Sequence, residues 1–111
     1  MAKDLSLVIL LDFYGGLLTD KQALALDCYY NQDLSLSEIA DDMGISRQGV
    51  MAFLRQGEKH LKSFEEKLGL AERFRKMNNG LSDMKAIIDS LSETDRKTEL
   101  LKLISSISNN I

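Results

Sequence analysis

Apolar residues recur at helical spacing along nearly the whole chain, and the strict apolar–polar alternation that a half-buried strand needs is almost absent. The pattern predicts an all-α fold. A first helix is expected over about Leu5 to Tyr14, apolar nearly all round through Leu5, Leu7, Val8, Ile9, Leu10, Leu11, Phe13 and Tyr14. Such a helix is normally buried on more than one side. Either a second subunit or the C-terminal helices must then cover it, and we expect a homodimer. Gly15-Gly16 interrupts the pattern. Thr19-Asp-Lys-Gln22 reads as a capping box that opens a second helix, running to about Tyr30 with Leu24, Leu26, Cys28 and Tyr29 as its apolar cover. Tyr29 and Tyr30 are of a type that stacks on bases, but a helical Tyr pair reads first as core and rim. Asn31-Gln32-Asp33 is a polar loop, and Ser35 with Glu38 forms a second capping box.

The stretch from about residue 36 to 55 carries the most information. A helix-turn-helix needs two short helices crossing at a fixed angle over a small shared core. Ser37 to Met43 predicts the first of them, with Ile39, Ala40 and Met43 inward and Asp41 and Asp42 outward. Ala40 is small, as the closest approach of two helices requires. Gly44 stands where a helix end wants a left-handed residue, Ile45 plugs the corner, and Ser46 is a good N-cap for the second helix. Val50, Phe53 and Leu54 face inward at helical spacing. No stop signal follows until Gly69, and the stripe continues through Leu61, Phe64 and Leu68, so this helix is expected to extend to about residue 68. Gly49 inside it costs about 1 kcal/mol relative to alanine; it either admits close approach to another helix or a groove, or is tolerated drift.

Beyond Gly69 the pattern predicts a short helix over Ala71–Met77, a turn at Asn78-Asn79-Gly80, and a helix from Ser82-Asp83 with Met84, Ile87, Ile88 and Leu91 on one stripe. Ser92-Glu93-Thr94-Asp95 resembles a capping box before a last helix with Leu100, Leu101, Ile104, Ile107 and Ile111. The expected organisation is a helix-turn-helix domain over 1–70, and C-terminal helices over 71–111 that pack on it or form an oligomer interface.

Composition narrows the function. The 111 residues include no proline and no tryptophan, which suits long helices, and 44% are hydrophobic, enough for a packed core. The net charge of −3 argues against a strongly basic nucleic-acid binder. Its distribution qualifies that objection. Residues 46–76 carry eight Lys and Arg against four Glu, whereas residues 21–45 carry one Lys against five acids, and residues 77–111 four bases against five acids. The basic segment begins at the second helix of the motif, and screening over about 8 Å makes local charge the relevant quantity. Cys28 is alone, so there is no disulfide framework, and a reducing cytoplasm fits. Leu5 to Tyr14 is far shorter than the roughly 20 residues of a membrane span, and no small-residue cleavage site follows it. We expect a cytoplasmic protein without membrane insertion. His60 has no partner at metal or relay spacing, and no phosphate-cradling Gly-Lys-Ser/Thr motif exists. Adjacent carboxylates such as Asp41-Asp42 and Glu65-Glu66 diverge on a helix. Neither enzymatic activity nor a metal or cofactor is expected.

Ser35-Leu-Ser-Glu-Ile-Ala, Gly44-Ile-Ser-Arg-Gln-Gly-Val and Glu65-Glu-Lys-Leu-Gly-Leu70, with Leu18-Thr-Asp-Lys-Gln22 and Tyr29-Tyr30, resemble the YlxM family of small bacterial proteins. The resemblance covers about residues 5 to 70; the C-terminal forty are similar mainly in helical character and length. It implies a fold similar to region four of bacterial sigma factors and a DNA-binding or regulatory role. It also implies a link to the signal recognition particle pathway, beside whose GTPase family members are encoded. By the same resemblance Ser46, Arg47, Gln48 and Val50 occupy recognition-helix positions, and Gly49 stands where the family usually has a small residue such as alanine. Nothing in the chain supplies promoter melting or polymerase binding, so an initiation factor is not expected.

The candidate nucleic-acid-binding residues are Ser46, Arg47, Gln48, Met51, Arg55, Lys59 and Lys62. Arg47, Gln48, Met51 and Arg55 point away from the apolar stripe. The N-terminal residues of a recognition helix reach base edges, where Arg suits guanine and Gln adenine. The same residue types are also ordinary solvated surface. Arg55, Lys59 and Lys62 would lie near phosphates. The alternative is an adaptor that touches the signal recognition particle's RNA or GTPases and binds no specific DNA; the acidic first forty-five residues fit that reading better.

Overall fold

The computed structural model describes residues 4–91 and 95–110, and of Asp95 only the backbone. Among the described residues the protein is all-α, with six α-helices and no strand. None of these helices is long and apolar enough to cross a membrane. The chain divides into two compact units, the first ending at Ala71 and the second beginning at Glu72.

In the first unit, α1 (Ser6–Tyr14) leads through a 3₁₀ turn (Gly15–Leu17) to α2 (Asp20–Leu26), a π-helical turn (Asp27–Asn31), α3 (Leu36–Met43) and α4 (Arg47–Leu68). α4 is the hub on which α1, α2 and α3 all pack. Both capping boxes form: the Thr19 side chain accepts from Gln22 N–H, and the Ser35 side chain from Glu38 N–H, each glutamyl or glutaminyl group returning to the cap's own N–H. Tyr14, Leu26, Ile39, Val50 and Leu61 are fully enclosed at the centre.

Three expectations for this unit are corrected. α1 is not buried all round: Leu7, Leu11 and Tyr14 face the core, while Leu5 and Ile9 are exposed. The second helix does not run as an α-helix to Tyr30. It widens after Leu26, and Gln32 N–H reaches back five residues to the Asp27 carbonyl at 3.1 Å. The Asp27 carboxylate holds that wide turn by accepting from Asn31 Nδ2 (2.8 Å) and Gln32 Nε2 (2.9 Å), which depresses its pKa. Leu24 and Leu68, expected to be apolar cover, are about half exposed.

The end of α4 is locked by side chains distant in sequence. Tyr14 Oη donates to Glu65 Oε1 (2.6 Å) and accepts from Leu70 N–H (3.0 Å), and the same Glu65 oxygen accepts from Ala71 N–H (3.0 Å). The first two backbone donors of α5 (Leu70–Asp89) are thereby capped. Gly69 makes the bend in the left-handed region at φ 62°, its N–H bonded to the Glu65 carbonyl.

The second unit holds most of α5, and α6 (Asp95–Asn109). Here the expected turn at Asn78-Asn79-Gly80 is corrected: α5 runs unbroken from Leu70 to Asp89. An exposed glycine costs a helix about 1 kcal/mol, and a polar pair beside it is not enough to stop one whose apolar positions continue in register on both sides. The Ser92–Thr94 part of the expected capping box, and Ile111, lie outside the described residues.

Candidate nucleic-acid interface

α3 ends in a Schellman motif: Ile45 N–H bonds the Ala40 carbonyl (3.1 Å) and Gly44 N–H the Asp41 carbonyl (3.3 Å), with Gly44 at φ 67°. That left-handed residue reverses the chain in one step, so Ser46 follows in an extended conformation and caps α4, its hydroxyl accepting from Gly49 N–H at 3.0 Å. Ile39, Ala40 and Val50 are buried between the two helices, with Met43, Ile45 and Phe53 half-buried beside them. The short α3, the tight turn and the start of α4 thus form one locally fixed unit.

The close approach of α2 to α4 occurs at a residue the sequence pattern did not single out. Val50, Leu54, Gly57 and Leu61 are the buried residues of α4. A Cβ on Gly57 would lie 2.5 Å from Leu26 Cδ1, and Leu26 is itself fully enclosed. Gly57 lets α2 approach α4 at that point. Its spacing from Val50 and Leu61 put it on the apolar stripe, which is the signal that could have found it. Gly49 is not such a contact: the nearest atoms to a Cβ there belong to Ile45 and Ser46, at 3.4 Å, just before it in the chain.

Ser46, Arg47 and Gln48 are exposed at the open end of α4. The Ser46 oxygen accepts the capping bond and still has a proton to donate. α2, α3 and α5 each carry an acid in the first turn, at Asp20, Glu38 and Glu72; α4 carries none and opens with Arg47. The N-terminal end of a helix bears about half a positive charge. In α4 nothing in the first turn answers it, so an anion docked there meets backbone donors and a guanidinium together.

Helical geometry places six of the seven candidate residues, Arg47, Gln48, Met51, Arg55, Lys59 and Lys62, within an arc of roughly 120° on α4, beside the buried stripe, while Ser46 is the N-cap that precedes the helix. It also separates them along the axis. Arg47, Gln48 and Met51 lie in the first turns, whereas Lys59 and Lys62 lie about 18 to 22 Å along the axis from Arg47, more than the roughly 12 Å width of one major groove. The candidate residues therefore divide into a group at the start of α4 and a group further along it. Arg55, Lys59 and Lys62 are exposed, but Glu58 and Glu66 share their face.

Met51 departs from the expectation that it points away from the core. It is half-buried, and with Leu7, Leu36, Leu54 and the two tyrosines it lines a groove of about 390 Å³, edged by Arg55, Lys62, Asp4 and Glu58. The π-helical turn brings Tyr30 to this groove, where its hydroxyl donates to Glu58 Oε1 at 2.7 Å; burial first, and that carboxylate second, push its pKa up. Tyr29 meets Tyr30 edge to face at 5.1 Å between centroids. The tyrosine pair is thus anchored in the wall.

Residues 1–104 match the model of the family UPF0122, described as "Putative helix-turn-helix protein, YlxM / p13 like". A UPF0122 protein of Thermoanaerobacter sp. strain X514 is 45% identical over 96% of this chain and 92% of its own. One from Clostridium kluyveri is 43% identical over the full length of both, and one from Halalkalibacterium halodurans is 37% identical over 95% of this chain and 94% of its own.

Proposed function

From the chain's membership of the UPF0122 family, the YlxM/p13-like helix-turn-helix proteins, we propose that it is a DNA-binding regulator whose α4 enters the major groove by its N-terminal end. The observation that carries this reading is the start of α4: exposed, fixed by the Gly44 turn and the Ser46 cap, free of acids in its first turn, and led by Arg47 and Gln48. Arg47 and Gln48 read base edges, Ser46 and Met51 flank them, and Arg55, Lys59 and Lys62 contribute phosphate contacts further along. The protein acts as a homodimer, so that two such helices meet half-sites about one duplex turn apart.

The test is fluorescence anisotropy against pooled genomic duplexes across a salt series, followed by a site search. Arg47→Ala is expected to weaken binding to the preferred site by about 1–3 kcal/mol and relax its sequence preference. Lys62→Ala is expected to weaken all duplexes alike and to reduce the salt slope by about 1. Equal affinity of the Arg47 variant for that site would remove Arg47 from the reading face.

One observation favours a second reading. Glu38, Asp41 and Asp42 are exposed on α3, the helix that in such motifs crosses the DNA backbone, where acids repel phosphate. On this reading the motif is a docking surface of an adaptor in the signal recognition particle pathway, touching its RNA or GTPases. Co-purification with and without nuclease separates the two: partners retained after nuclease favour the adaptor.

A further inference from the structure

The exposed apolar surface of the second unit is organised as a seam. On α5, Met77, Met84 and Ile87 are 49%, 47% and 64% exposed, and Leu91 just beyond the helix is 52% exposed. On α6, Leu100, Leu103 and Ile107 are 42%, 59% and 49% exposed. The spacings 77, 84, 87, 91 and 100, 103, 107 are those of a and d positions in a heptad. Each helix also has a covered side. Leu81 and Ile88 of α5 are buried, Leu101 and Ile104 of α6 are half-buried, and Leu81 and Ile104 line one shared cleft. The apolar arc of each helix is therefore wider than its neighbour covers, and in both helices the uncovered part is the heptad seam.

We propose that this seam is the homodimer interface: a second copy of the chain lays its own α5 and α6 against it, to close a four-helix bundle. The proposal rests on the homodimer inferred above but not on DNA binding. Three observations select a second copy as the occupant. The seam is large enough: seven apolar side chains, each about half open, offer on the order of 100 Å² apiece, roughly 700 Å², close to the about 800 Å² per partner of a stable interface. The charge permits self-association, since residues 77–111 carry four bases and five acids, so two identical surfaces meet without strong repulsion. The same near-neutral balance gives an anionic lipid surface little to attract. Third, Gly80 falls on a seam position in mid-helix, and beyond the adjacent backbone of its own helix nothing lies within 4 Å of where its Cβ would be. A bare position there lets a partner helix come close.

The experiment is sedimentation velocity on the full-length protein without nucleic acid. Wild type is expected to sediment at twice the chain mass at micromolar concentration. Met84→Glu/Ile87→Glu is expected to sediment as a monomer, and Ile9→Glu, on the exposed side of α1, as a dimer. A monomeric wild type overturns the homodimer altogether. A dimer that survives the double substitution, or that dissociates with Ile9→Glu, overturns this interface alone. Should the double variant lose helicity, Ile87→Cys in a Cys28→Ser background decides the matter. Reaction with a short bismaleimide is expected to give covalent dimers from Ile87→Cys and none from Leu17→Cys; the reverse pattern overturns the seam. Failure of the DNA reading registers separately, in the anisotropy titration.

Discussion

The two units of this protein are built to different standards. In the first, Tyr14, Leu26, Ile39, Val50 and Leu61 are all enclosed, and the helices that contain them converge on α4. In the second, the best-covered apolar residues, Leu81 and Ile88, remain 8% and 9% exposed, and half-open side chains outnumber them. Two amphipathic helices of this size cannot enclose both their apolar arcs in each other, because a pair shares only one contact line. The difference teaches where each unit gets its order. The first holds the start of α4 in place with its own core. The second presents what its own residues leave open.

The sharpest way to break this comparison is to truncate a core residue in each unit. Leu61→Ala is expected to cost about 3–5 kcal/mol, because a site enclosed on all sides collapses poorly around the cavity. Leu81→Ala should cost less, about 2 kcal/mol, since solvent already reaches its surroundings. Urea unfolding of both variants checks this; equal losses would mean that the second unit is as tightly packed as the first.

Tyr14→Phe comes next, at about 1–3 kcal/mol, because it leaves the Glu65 carboxylate and the Leu70 N–H short of a partner. The same group sets an alkaline limit. Burial first, and the bond to Glu65 second, raise the Tyr14 pKa above its ordinary value of 10.0, and burial does the same for Tyr30. Above about pH 10 the unfolded chain gives up these protons before the folded one does, so stability falls as pH rises through the folded pKa values. Below the ordinary value the contribution is complete. Denaturant midpoints from pH 8 to 11 should decline only at the alkaline end, and less steeply in Tyr14→Phe; an unchanged slope would show that Tyr14 does not share in it.

Gly57→Ala sets two effects against each other. Alanine gains about 1 kcal/mol of helix propensity, but its methyl group must displace the enclosed Leu26 side chain, and such overpacking costs about 1–3 kcal/mol. A net loss of about 1 kcal/mol is expected in thermal unfolding; a gain would mean that α2 yields at that point. Ser46→Ala is expected to cost a similar amount, about 1 kcal/mol from the lost cap, with duplex affinity reduced further if the start of α4 carries the binding.

Where the sequence spoke clearly, it did so through short-range chemistry. Thr19 with Gln22, Ser35 with Glu38, Ser46 before α4, and the left-handed Gly44 and Gly69 mark helix ends by bonds that span a few residues, and each does so in the structure. The candidate site is legible to the same extent. Ser46, Arg47 and Gln48 are exposed at the start of α4 because the local turn puts them there. Met51 is different, since the exposure of a side chain at the border of the apolar stripe depends on the neighbouring elements, and here it lines a groove with Leu36 and the tyrosine pair.

By itself, then, the sequence determined the all-α class, the ends of most helices in the first unit, and the exposed basic and polar start of α4, because propensity, capping and helical periodicity act within a turn or two. Only the tertiary structure decided that Gly57 receives Leu26 and that Tyr14 and Glu65 cap α5. The long-range contacts among these join residues up to fifty-six positions apart. Their free energy depends on which surfaces meet, and no local pattern in the chain encodes that meeting.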